Sequence, residues 1–99
     1  MTPTDQKALD LLQARKIGMK AYQVYGALRQ YAQPGEIFQM SGSQLCRYTH
    51  LPKNTVCRAL DELAQEFEEL GGKALLRMET PKLRNHGMDA RKMKITKFS

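Results

Sequence analysis

The sequence predicts a mainly α domain that ends in a small two-stranded β ribbon, and three observations carry that expectation. Up to Leu70 the apolar residues recur at three- and four-residue steps, the spacing of helices with one buried face. From Ala74 onward apolar and polar residues alternate, the period of strands. Charge changes at the same place. The chain has 16 basic and 10 acidic residues, of which eight and eight lie up to Leu70, so the whole net charge of +6 belongs to the segment that follows. A patch rather than an even coat is implied, which points either to a polyanionic partner or to a solvated basic tail.

The 99 residues suffice for one modest core. No apolar run approaches the length of a spanning helix, and Met1-Thr2-Pro3-Thr4-Asp5 lacks the basic-then-apolar pattern of a secretory signal, so a cytoplasmic protein without membrane contact is expected. Cys46 and Cys57 do not form the close doublets of zinc or redox motifs, which argues against a disulfide framework.

Thr2-Pro3-Thr4-Asp5 reads as a helix start, with Thr2 as N-cap, Pro3 where no amide is needed and Asp5 reaching back to the cap. Ala8, Leu9 and Leu12, with Leu11 beside them, would form a thin apolar stripe before Ile17-Gly18 breaks the helix. Such a stripe either packs on the domain or pairs with a twin. We expect residues 1–18 to be a helical extension that serves as a homodimerisation element, and residues 19–99 to form the main domain. A second helix follows from Met19 to Ala32 on Ala21, Val24, Tyr25, Leu28, Tyr31 and Ala32, closed by the turn Pro34-Gly35. Ile37-Phe38 is too short for more than an edge strand lent to a later hairpin.

Ser41 with Gln44 forms a capping box that opens a third helix lasting to Tyr48. Pro52 cannot sit inside a helix, so a fourth restarts at it or just after it. Val56, Ala59, Leu60, Leu63, Ala64 and Phe67 would line the inner face of that helix, which should close near Leu70 with Gly71-Gly72 as its C-cap. Asp61, Glu62, Glu66, Glu68 and Glu69 would make its far half acidic, a face for a second protein or simply a solvated one. In the first strand alternation puts Leu76 and Met78 on one side, with Leu75, Arg77 and Glu79 on the other; the second strand, from Lys92 to Phe98, has Met93 and Ile95 inward. The loop between them, 81–90, is rich in turn formers and bases.

Two short helices joined by a tight turn and followed by a ribbon make a helix-turn-helix with a wing. At Ser41, Leu45, Thr49, Leu51, Thr55, Val56, Ala59, Leu60 and Leu63 the chain resembles the winged helix-turn-helix domains of phage and plasmid replication and regulatory proteins. It departs from that pattern at His50, where glycine is usual, and at Pro52, where a serine N-cap is usual. The resemblance implies a winged helix-turn-helix that binds double-stranded DNA sequence-specifically as a transcriptional regulator. Two alternatives stay open: a plasmid or phage replication or partition adaptor, and a protein-interaction module that binds no DNA.

Within this arrangement Lys53, Asn54 and Thr55 belong to the first turn of the recognition helix and Arg58 lies one turn further on. Arginine grips guanine and asparagine grips adenine through paired hydrogen bonds, so Arg58 and then Asn54 are the candidate base readers. Ser43, Gln44 and Tyr48 would touch the DNA backbone from the preceding helix, and Lys82, Arg84, Arg91 and Lys92 would do so from the wing. No enzyme is expected. Cys46 and His50 are four apart but lack further metal ligands, His86 has no nucleophile pattern around it, and Gly71-Gly72-Lys73 leads into a strand rather than a helix. No cofactor or metal is called for.

Overall fold

The computed structural model describes residues 2–78 and 91–98, excepting the Arg91 side chain. Helices α1 (Pro3–Gln13), α2 (Met19–Tyr31), α3 (Gly42–Thr49) and α4 (Lys53–Leu63) surround one core, with β1 (Ile37–Met40) between α2 and α3. A 3-10 turn, Glu68–Leu70, leads to β2 (Leu76–Met78), and β3 (Arg91–Ile95) completes an antiparallel sheet of order β1-β3-β2. The architecture is therefore mainly helical with a small sheet. β1 is an edge strand of that sheet, as its length suggested, and Tyr31 covers part of its outer side by donating its hydroxyl to Gln39 O at 3.4 Å.

The predicted cap of α1 forms in full. Thr2 Oγ1 accepts from Asp5 N at 3.1 Å, and Asp5 Oδ2 accepts from Thr2 N at 3.4 Å. The buried face differs from the expected stripe: Thr4, Ala8 and Leu11 are buried, whereas Leu9 and Leu12 are half-buried. Two polar anchors set this rotation. Thr4 Oγ1 donates to Thr96 O at 3.0 Å and accepts from Phe98 N at 3.2 Å, while Asp5 receives Tyr25 and Arg29 of α2. Of the expected stripe, Ala8 packs into the core together with Leu11, while Leu9 and Leu12 stay half-buried.

Two further boundaries depart from expectation. Helix α4 ends at Leu63 rather than near Leu70, because Phe67 pairs with Lys73 as an isolated bridge instead of continuing the helix. The left-handed Gly71 (φ 69°) and Gly72 (φ 82°) make the tight return that allows it, with Gly72 N donating to Phe67 O at 3.0 Å. Glycine 71 thus caps the 3-10 turn and not α4, and the expected acidic face shrinks to Asp61 and Glu62, since Glu66, Glu68 and Glu69 lie beyond the helix. In β2 Leu76 and Met78, paired with Ile95 and Met93, share one side, with Arg77 on the other as expected, but Met78 is exposed and Leu75, expected on the side of Arg77, is buried. Leu75 precedes the strand, where Thr96 N donates to its carbonyl at 2.9 Å and Thr96 Oγ1 donates to Ala74 O at 2.6 Å. In β3, Met93 and Ile95 are buried as the alternation requires.

Candidate nucleic-acid interface

Helices α3 and α4 and the turn of residues 50–52 are specified by local chemistry. Ser41 Oγ accepts from Gln44 N at 3.1 Å and Gln44 Oε1 accepts from Ser41 N at 3.0 Å, the predicted capping box. Thr49 Oγ1 donates back to Leu45 O at 2.7 Å and accepts from Leu51 N at 3.3 Å, which closes α3 and starts the turn. His50 takes the left-handed conformation (φ 58°, ψ 32°), the one that glycine would adopt freely and that histidine tolerates better than most side chains. Pro52 then stands at the N-cap of α4 in extended conformation, so no side chain caps that helix.

The two helices meet through Leu45, Val56 and Leu60, joined by Met40 of β1 around a cavity of about 60 Å³ that Gly42, Lys53 and Cys57 also line. Cys46 is half-buried against the core, and Cys57 is half-buried beside the cavity.

Burial of these apolar residues turns the polar ones out. On α3, Ser43, Gln44, Arg47 and Tyr48 are exposed; on α4, Lys53, Asn54, Arg58 and Asp61 are exposed, and Thr55 is half-buried. With 3.6 residues per turn, Asn54 and Arg58 fall almost opposite the inward line of Val56, Ala59 and Leu63, so they form the outermost ridge of α4. Thr55 sits to one side of that ridge. Gln44 spends its amide oxygen on the cap and keeps its amide nitrogen as a donor. The Tyr48 ring, 48% exposed, meets Tyr31 edge-on at 6.1 Å, and Tyr31 meets Phe38 at 5.8 Å, so its position is set by packing.

The charged groups divide into used and unused ones. Arg29 bonds Asp5, Lys16 lies 3.5 Å from Glu69, and Lys7 and Lys73 lie over the Phe98 ring. Glu62 Oε1 accepts from Gly18 N at 3.0 Å and so serves the start of α2. Among the described residues, Arg47, Lys53, Asn54 and Arg58 have no such side-chain partner. Arg47 was absent from the sequence-derived set although its spacing could have placed it there: it lies four residues after Ser43, on the same outward face of α3.

Of the expected wing residues, Lys92 is exposed on β3 opposite Gln39 of β1, and Arg91 pairs with Met40 in the same strand ladder. Lys82 and Arg84 lie outside the described residues, as does His86. Lys94 and Arg77, also missed in the sequence, share the outward side of the sheet with Lys92. Among the described residues no group of three His, Cys, Asp or Glu side chains could hold a metal ion, and no helix is long and apolar enough to cross a membrane. No protein-family model, curated protein or solved structure matches the chain.

Proposed function

We propose that the chain is a winged helix-turn-helix protein that binds double-stranded DNA sequence-selectively, as a transcriptional regulator does. In this reading α3 lies across the DNA backbone, α4 enters the major groove, and the β2–β3 ribbon with Arg91 and Lys92 is the wing. One observation carries it: Ser43, Arg47, Asn54 and Arg58, all on the outward faces of the α3–α4 pair, have no side-chain partner among the described residues.

The division of labour follows from chemistry. Asn54 and Arg58 are about 6 Å apart along the helix axis, close to two base-pair steps, and suit adenine and guanine edges. Lys53, Arg47 and the hydroxyl of Tyr48 suit phosphates, and the uncapped N-terminus of α4 leaves backbone amides for another. Asp61, exposed on the third turn of α4, repels phosphate, so the first two turns are the part that fits the groove. The other acidic side chain of α4, Glu62, already binds Gly18.

The reading is tested by fluorescence anisotropy of a labelled random-sequence duplex at several salt concentrations. About five phosphate contacts per chain predict that log affinity falls against log salt with a slope of about −4 to −5. Absence of binding at low salt refutes the proposal. A preference for tandem repeats over single sites would assign the chain to replication or partition rather than to transcription.

A further inference from the structure

Gln44, Arg47 and Tyr48 line one open depression of about 350 Å³ on α3. They stand three and four residues apart, so one side of the helix carries all three. Each brings a donor that the described residues leave unused. The cap of α3 takes the amide oxygen of Gln44 and not its nitrogen, and neither the Arg47 guanidinium nor the Tyr48 hydroxyl has a hydrogen-bond partner among those residues. Helix α3 has no acidic residue to repel an anion, and an amide, a guanidinium and a phenol together suit a group with several acceptor oxygens.

The tyrosine wall of the depression is held from outside the helix pair. Tyr31, the last residue of α2, meets the Tyr48 ring edge-on, with an interplanar angle of 70°, and meets Phe38 of β1 in the same way at 60°. Its hydroxyl donates to Gln39 O at 3.4 Å. The three rings form a chain from Phe38, which is buried, to Tyr48, at the edge of the depression. Tyr31 is itself 42% exposed, unlike its buried neighbours Leu28 and Ala32, so its place in the chain of rings and not core burial alone accounts for an aromatic residue there.

We infer that this depression seats a single phosphate of the DNA backbone, bound by Gln44, Arg47 and the Tyr48 hydroxyl together, and that Tyr31 is the positioning residue that fixes Tyr48 for it. The inference rests on the DNA-binding reading for its ligand. It adds that three donors of α3 converge on one phosphate and that a residue of α2 takes part in binding without touching DNA. The three donors differ in kind: Arg47 is a cation and releases a counterion when it meets a phosphate, whereas the amide and the phenol add a hydrogen bond that salt leaves nearly unaffected.

A double-mutant cycle read by anisotropy of a labelled random-sequence duplex tests it. Tyr48→Phe and Tyr31→Leu each lower affinity about three- to tenfold with the salt slope unchanged, and the double variant binds no more weakly than either, because both substitutions remove the same hydrogen bond. Tyr31→Phe keeps both ring contacts and binds within about twofold of the intact chain. Arg47→Gln makes the slope shallower by about one. Tyr31→Met replaces Tyr31→Leu in the cycle if the latter does not fold, with the same expected result. Losses that add in the double variant overturn the positioning role and leave Tyr31 a contact of its own or a merely structural part. Unchanged affinity in Tyr31→Leu overturns it too, and an unchanged salt slope in Arg47→Gln overturns the phosphate seat. An intact chain that binds no duplex at low salt refutes the DNA-binding reading and the inference with it, whereas the other outcomes arise in a chain that does bind.

Discussion

Asp5 does more than cap its own helix. Its carboxylate accepts from Tyr25 Oη at 2.7 Å and from Arg29 Nε at 2.8 Å, tying α1 to α2 in a site where the Arg29 and Asp5 side chains are largely buried. The Arg29 hydrogen bond, aided by those of Tyr25 and Thr2, holds the Asp5 carboxyl well below the usual carboxylate range against the opposing effect of burial. Burial, and then the bond to Asp5, pushes the Tyr25 hydroxyl well above the usual phenol range. The signs of the linkage follow. Below about pH 4 the unfolded chain binds the Asp5 proton first, so stability falls as pH falls; above about pH 10 the unfolded chain releases the Tyr25 proton first, so stability falls as pH rises. Asp5→Asn is expected to cost about 2 kcal/mol at neutral pH and to flatten the acid limb of a Tm-against-pH curve, while Tyr25→Phe flattens the alkaline limb. Gly26 is a contrasting case. It is exposed in the middle of α2, and a Cβ there would meet nothing within 4 Å. Gly26→Ala should therefore raise stability by about 0.5–1 kcal/mol in urea unfolding, through the unfolded chain alone.

Among the elements, the link between α4 and α2 decides how the acidic residues are used. Glu62 reaches the N-terminus of α2, where its charge also complements the helix dipole and where Gly18 supplies no side-chain cap. Glu62→Ala is expected to lower stability by about 1 kcal/mol and to speed hydrogen exchange in the first turn of α2, while Asp61→Ala, on the exposed ridge, leaves both unchanged. The starts of helices were legible in the sequence because they are local: Thr2 with Asp5, Ser41 with Gln44, and Pro52 each act within one turn. The end of α4 was not, because it depends on Phe67 meeting Lys73 across two glycines, a pairing that periodicity alone does not reveal. The face of α1 was misread for a similar reason, since its rotation answers to Thr96 and Phe98 at the far end of the chain. The outward residues of α4 were legible because the inward ones are regularly spaced, whereas Lys94 and Arg77 acquire meaning only through the strand register.

For the whole molecule, the core divides two basic surfaces: the ridge of α3 and α4 with Arg47, Asn54 and Arg58, and the outward sheet with Arg77, Lys92 and Lys94. The ridge of α3 and α4 is proposed to select sequence, so variants there should change which site is bound. Arg58 is exposed and has no side-chain partner among the described residues, so Arg58→Ala should leave the Tm within about 1 °C. The central claim is that α4 reads base edges, and the most direct measurement is selection of duplexes from a random pool by the intact chain and by Arg58→Ala in parallel. The account predicts that the intact chain enriches a site with a guanine whose preference the variant loses, at a cost of about 1–3 kcal/mol for that site, while binding to random duplex stays within a few fold. Enrichment of the same site by both proteins, or of no site by the intact chain, would contradict it.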